Sequence, residues 1–405
     1  MENQTTTPKI EKKLKRKHFD LFDAGYACVC FIILQLICSL LISMFRREII
    51  FNPSLYFIAQ FTVEAVFIFA SLIVSASRNV EFVKATTYNK GFSWKTALLA
   101  VAISAVCMFG FSSLTNVFVY SLQKLGYTSS LGSININSFG MYIFFVILMC
   151  VVPAVFEETL FRATILNGMR EKGKTYAIFM SALIFMLMHG GPDQTIHQFI
   201  LGIVLGYVFV YSGSIWVTVL IHFLNNFYAV TALYIMNITS MNGSATETAE
   251  ELPSWGSLAV TLVVGLAIAS VAAYIIYLCV VGMNKVRKSE EQKKHEKFDA
   301  LLEKETLTAQ DIAWIKKYEA DKNEYALYDK AEEERKALKA QNLKPIQIAG
   351  EVQTGQNGET IAETTCSVSG KQKKKVNVGY VITLTISLVY LCATWLLTLI
   401  SGFLG

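Results

Sequence analysis

The sequence predicts an all-α fold: a polytopic transmembrane helical bundle of about nine membrane helices, with a cytoplasmic helical insertion before the last of them. Three observations carry that prediction. Hydrophobic residues make up 53% of the 405 positions and charged residues 17%. Apolar runs of roughly 20 residues, the length a helix needs to cross the hydrocarbon core, recur along the chain. Lys and Arg cluster in alternate gaps between those runs, the asymmetry that sets orientation in a membrane. Soluble globular packing is excluded by such a composition.

Taken in order, residues 1–23 form a basic N-terminal segment carrying Lys12, Lys13, Lys15, Arg16 and Lys17. The apolar run at 24–45 is long for a signal-peptide core and lacks a small-residue cleavage site, so it reads as a retained first helix. Spans follow at 55–76, 96–120, 139–168, 175–190, 196–212, 215–236 and 256–282, which completes a bundle over 24–282, and the last lies at 378–401. With the N-terminus inside, the cytoplasmic loops hold Arg78, Lys84, Lys90 and Lys95, then Arg170, Lys172 and Lys174. The opposite loops hold Lys124 in one case and Glu247, Glu250 and Glu251 in the other. Arg46 and Arg47 break the pattern: either they snorkel to the outer headgroups or the first hairpin is misplaced.

Residues 284–343 are rich in Ala, Glu, Lys and Leu, and Thr308-Ala309-Gln310-Asp311 resembles a capping box ahead of Ile312, Trp314 and Ile315. This is the expected cytoplasmic helical insertion. Residues 344–377, with Gly355-Gln356-Asn357-Gly358 and Lys373-Lys374-Lys375, have the composition of a disordered linker to the last helix. The eight cysteines form no disulfide or zinc framework: all but Cys366 sit in apolar runs. The net charge of +5 is placed beside membrane segments, where it meets acidic headgroups, and no nucleic-acid partner is needed.

Chemistry is concentrated in three spans. Phe156-Glu157-Glu158-Thr159-Leu160-Phe161-Arg162 puts three ionisable groups inside an apolar helix, where each costs several kcal/mol unless it faces protein or water. Glu158 shares a helical face with Arg162 and suits an ion pair, which leaves Glu157 as the free carboxylate. The next span ends at His189, and a later one holds His222 and Asn226 four residues apart on one face. Counted from the basic loop at 170–174, Glu157 and His189 lie about 20 and 22 Å up neighbouring helices, and His222 and Asn226 lie about 12 and 18 Å up theirs. All four groups can line one cavity near the bilayer midplane.

Such a cavity suits amide hydrolysis. A carboxylate and an imidazole can take a proton from water, while a second imidazole and an amide donate to an oxyanion. Zinc held by Glu157, His189 and His222 is a second use of the same groups. Glu64 and His197 read as helix-to-helix hydrogen-bonding residues and stay outside the site.

The ordered set Glu157-Glu158-x-x-x-Arg162, Phe185-x-x-x-His189 and His222-x-x-x-Asn226, on separate membrane helices, resembles the CPBP/Abi family, which includes the type II CaaX prenyl endopeptidases. The resemblance covers about residues 100–235. It implies that Glu157 and His189 activate water, that His222 and Asn226 stabilise the oxyanion, and that Glu158 and Arg162 support them. It favours a metal-independent glutamate protease, with no cofactor required, over a zinc enzyme. The expected partners are a membrane-associated peptide or protein substrate, the lipid bilayer and, for the insertion at 284–343, which departs from the family core, a cytoplasmic partner. The expected location is a bacterial plasma membrane with the N-terminus cytoplasmic. A catalytically inactive scaffold or bacteriocin-immunity protein of the same fold is the competing reading. A transporter would need discontinuous helices or inverted repeats, which the sequence does not display.

Overall fold

The computed structural model describes residues 16–128, 136–241, 252–304, 307–319 and 377–404. Most of the expected linker at 344–377 lies outside the described residues, as do Lys12, Lys13, Lys15, Cys366 and the acidic residues Glu247, Glu250 and Glu251. In chain order the helices are α1 (Leu21–Met44), α2 (Arg46–Phe51), α3 (Pro53–Ser77), α4 (Phe82–Ala85), α5 (Trp94–Gly110), α6 (Ser112–Lys124), α7 (Phe139–Lys172), α8 (Lys174–Met188), α9 (Thr195–Ser212), α10 (Ile215–Met241), α11 (Trp255–Leu302), α12 (309–319) and α13 (Val378–Leu404). No strand occurs among the described residues, where an isolated bridge joins Arg16 to Val80.

Among the described residues, eight helical stretches are long and apolar enough to cross a membrane, so the chain is a multi-pass integral membrane protein. The expected span at 175–190 is α8, which has only 15 residues and ends at the candidate site. The span expected at 96–120 is two helices, because Phe111 interrupts the ladder between α5 and α6. Helix α11 does not stop at the expected edge near 282 but continues to Leu302, since the residues beyond are helix formers such as Lys, Glu and Gln.

The chain divides into two units, one comprising Met1–Arg287 with Asn377–Gly405 and the other Lys288–Val376. In the second unit α12 carries the expected capping box: the Thr308 amide donates to Asp311 Oδ2 at 3.0 Å and the Asp311 amide to Thr308 Oγ1 at 3.2 Å.

In the first unit, contacts between connections sort the helix ends onto two faces. Arg78 at the end of α3 pairs with the fully buried Asp23 near the start of α1 at 2.9 Å. Ser214 donates to the Lys90 carbonyl at 2.8 Å, and the Tyr176 and Tyr380 hydroxyls bond at 2.8 Å. These contacts gather the ends bearing Lys84, Arg170, Lys172 and Lys174 onto one face. On the other face, Thr128 donates to the Gly402 carbonyl at 2.7 Å and Trp395 to Thr195 at 2.9 Å.

The core is built around a chain of rings. Phe31 of α1 meets Phe67 of α3 at 4.6 Å, Phe67 meets Phe161 of α7 at 5.8 Å, and Phe161 meets Phe185 of α8 edge-on at 4.8 Å. Helix α9 packs closely on α8 because Gly202 faces Ala182: a Cβ there would come within 2.9 Å of the Ala182 backbone.

Candidate active site

Helix α7 is not a regular α-helix. Pro153 has no N–H, so the carbonyl of Met149, four residues earlier, loses its helical donor. The chain responds with a π-helical stretch over Ile147–Val151, in which the Val152 amide reaches back to the Ile147 carbonyl. A second π-helical stretch covers Thr159–Leu166. Wide turns of this kind are frequent at functional sites, and here they bracket Glu157 and Glu158.

The two glutamates part as the spacing predicts. Glu158 is fully buried, and its Oε2 lies 3.3 Å from Nε of Arg162, also fully buried. That contact is an ion pair without hydrogen-bond alignment, for none of the Arg162 side-chain nitrogens has such a partner. The guanidinium instead lies over the Phe185 ring, 4.5 Å from its centroid. Glu157 turns the other way, into a cavity, and its buried Oε2 accepts no hydrogen bond.

His189 caps the C-terminal end of α8, and Gly190 follows it with φ 67, a left-handed conformation that lets the chain turn at once. The His189 amide bonds to the Met186 carbonyl, which frees the Phe185 carbonyl for the imidazole. A carbonyl can only accept, so the 2.8 Å contact makes Nδ1 the protonated nitrogen and leaves Nε2 a lone pair. That Nε2 lies 3.9 Å from Oε2 of Glu157. His222 on α10 donates from Nδ1 to Oε1 of Glu158 at 3.0 Å, and its Nε2 also lies 3.9 Å from Oε2 of Glu157. One carboxylate oxygen therefore faces two imidazole Nε2 atoms whose Nδ1 positions are fixed differently, one by a neutral carbonyl and one by a carboxylate.

Asn226 lines the same cavity and donates from Nδ2 to the Met149 carbonyl at 3.0 Å, replacing the bond that Pro153 removes. Asn225 points elsewhere and donates to His197 Nε2 at 3.1 Å. The four expected site residues Glu157, His189, His222 and Asn226 thus meet in one cavity of about 290 Å³, with Glu158 and Arg162 behind them.

One exclusion made from sequence does not hold, because Glu64 faces this cavity from α3 and its Oε2 is buried without a partner. Tyr56 and Gln60 precede it on the same face, four residues apart, and Gln194 and Gln198 line the cavity as well. A polar stripe at i, i+4 and i+8 inside an apolar run was the available signal. His197 does stay outside the cavity lining.

Three zinc ligands at about 2.0–2.1 Å would stand roughly 3.4 Å apart in a tetrahedral site. The Glu157 oxygen is 3.9 Å from each imidazole nitrogen, and no group of three His, Cys, Asp or Glu side chains among the described residues is arranged to hold a metal ion.

Residues 139–228, which hold all four cavity residues together with Glu158 and Arg162, match the family model described as type II CAAX prenyl endopeptidase Rce1-like. This segment resembles a CPBP/Abi-type core. Over these 90 of its 405 residues the chain is similar to CAAX-type membrane endopeptidases. No curated protein and no solved structure matches the chain. Helices α1, α3 and α13, which pack around the matched segment, lie beyond it.

Proposed function

We propose that the chain is an intramembrane endopeptidase that hydrolyses a peptide bond of a membrane-associated peptide or protein. The observation that supports this reading is the convergence on Glu157: its partnerless Oε2 stands 3.9 Å from Nε2 of both His189 and His222 in one cavity. A water molecule set off the line of centres spans such a gap with hydrogen bonds of about 2.8 Å.

In the proposed cycle Glu157 takes a proton from that water while the His189 Nε2 lone pair orients it, and the oxygen attacks the scissile carbonyl carbon. His222 donates from Nε2 to the oxyanion when its ring carries a second proton, and Glu158 on Nδ1 balances that charge. The amide proton of Asn226 not given to Met149 is the second donor. The carbonyl then re-forms, the C–N bond breaks and the leaving amine takes the proton held by Glu157. Orientation follows the charge pattern: we place the face bearing Lys84 and Arg170 in the cytoplasm.

The test uses purified protein in lipid nanodiscs with a membrane-associated peptide. Glu157→Gln and His189→Ala are expected to lower kcat by about 10²–10⁴-fold, and Asn226→Ala by about 10²–10³-fold. Equal rates for wild type and Glu157→Gln would remove Glu157 from the chemistry. Stripping divalent cations with a chelator is expected to leave the rate unchanged, whereas a loss restored by zinc would assign the water to a metal.

A further inference from the structure

The cavity has a charge pattern that the hydrolytic cycle does not use. Two of its lining side chains are carboxylates, Glu64 and Glu157, which lie within electrostatic reach of each other, and none is Lys or Arg. The guanidinium of Arg162 is held by Glu158 and the Phe185 ring. Glu64 nevertheless presents an oxygen that is buried and accepts no hydrogen bond.

The rest of the lining is suited to an extended polypeptide. Gln60 donates to the Tyr56 hydroxyl at 3.2 Å and Gln198 to Gln194 at 3.4 Å, so side-chain amides stand along two walls. Amides pair with the N–H and C=O groups of an extended main chain, while Leu148 and Val230 offer apolar contact to side chains. From Tyr56 to Glu64 the stripe is about 12 Å long, the reach of three or four extended residues. It ends beside Glu157, where the bond is cut on the reading given above.

We propose that Glu64 selects substrates carrying a basic group, a Lys or Arg side chain, next to the scissile bond, and that the same cavity disfavours a free C-terminal carboxylate there. This inference rests on the peptidase reading for its location. Its chemistry is a charge-assisted contact between a buried, unpaired carboxylate and an ammonium or guanidinium. A cation placed there meets both carboxylates, whereas an anion meets no Lys or Arg among the described lining residues.

The test is a set of apolar peptides about a dozen residues long, with Lys, norleucine or Glu scanned along the chain and the C-terminus free or amidated. In nanodiscs, wild-type protein is expected to favour Lys over norleucine by at least about tenfold in kcat/KM at one position, the worth of one hydrogen bond to a charged group. Glu64→Gln is expected to bring that ratio near one, Glu64→Asp to keep most of it, and Glu64→Lys to turn the preference toward the Glu peptide. Binding of the same fluorescently labelled peptides to the Glu157→Gln protein reads the preference without turnover. Equal cleavage or binding of the three peptides by protein with Glu64 intact, or a ratio that survives Glu64→Gln, overturns the inference. Cleavage undiminished in Glu157→Gln overturns the catalytic reading instead and leaves the Lys-to-norleucine ratio measurable.

Discussion

At the scale of single residues, the site depends on how one buried charge hands off to the next. Arg162 offsets Glu158, and Glu158 holds the Nδ1 proton of His222. Removing one member of a buried pair strands the other, at a cost of about 3–5 kcal/mol. Arg162→Met is therefore expected to lower the thermal midpoint of the detergent-solubilised protein sharply. The double variant Glu158→Gln/Arg162→Met should recover part of that loss. Glu158→Gln alone is expected to lower kcat about a hundredfold or more with little change in KM, since a neutral amide cannot balance a charge on His222. A matched fall in kcat and rise in KM would make Glu158 a purely structural group. The split between Glu157 and Glu158 was legible in the sequence because ionisable groups in lipid must be justified and because four-residue spacing marks a shared face. Glu64 was not legible in that way. A lone glutamate reads as a helix contact until α3 is seen to form a wall opposite α7.

At the scale of elements, length and composition located most of the spans, because crossing a bilayer sets a minimum length for an apolar helix. Local departures were harder to foresee. The widened turns of α7 follow from Pro153 in one case, whereas nothing in Thr159–Leu166 announces the other. Helix α8 rises only about 22 Å over its length, which is what lets His189 end beside Glu157 rather than at a headgroup. Its position depends on the contact between Gly202 and Ala182. Gly202→Val is expected to push α9 away from α8, destabilising the protein by about 1–3 kcal/mol and reducing activity through displacement of His189. A thermal midpoint and rate equal to wild type would show that the pair can separate freely. In α12 the Lys304 ammonium at 2.8 Å, aided by Thr308, holds the Asp311 carboxyl down at about 2. The cap it forms therefore contributes stability above the ordinary value of 3.8 and loses it as the pH falls through about 2. An NMR titration of Asp311 should find that low midpoint, and Lys304→Met should raise it.

At the scale of the whole molecule, the contacts between connections sort helix ends as the Lys and Arg distribution anticipates, with Arg46 and Arg47 on the opposite face. The cavity lies toward the face that bears Gln194, away from the basic connections. Single cysteines introduced at Lys84 and at Thr128 in a cysteine-free background are expected to react with an impermeant maleimide from opposite sides of the membrane. Labelling of both from one side would contradict the two-face arrangement. The family match begins at Phe139, yet the ring chain that supports Phe185 starts at Phe31, and the wall bearing Glu64 belongs to α3. Residues 139–228 are consequently not a portable cassette. Transplanted alone into another membrane scaffold, they would carry Glu157, His189, His222 and Asn226 without the partition that gives their cavity its second side.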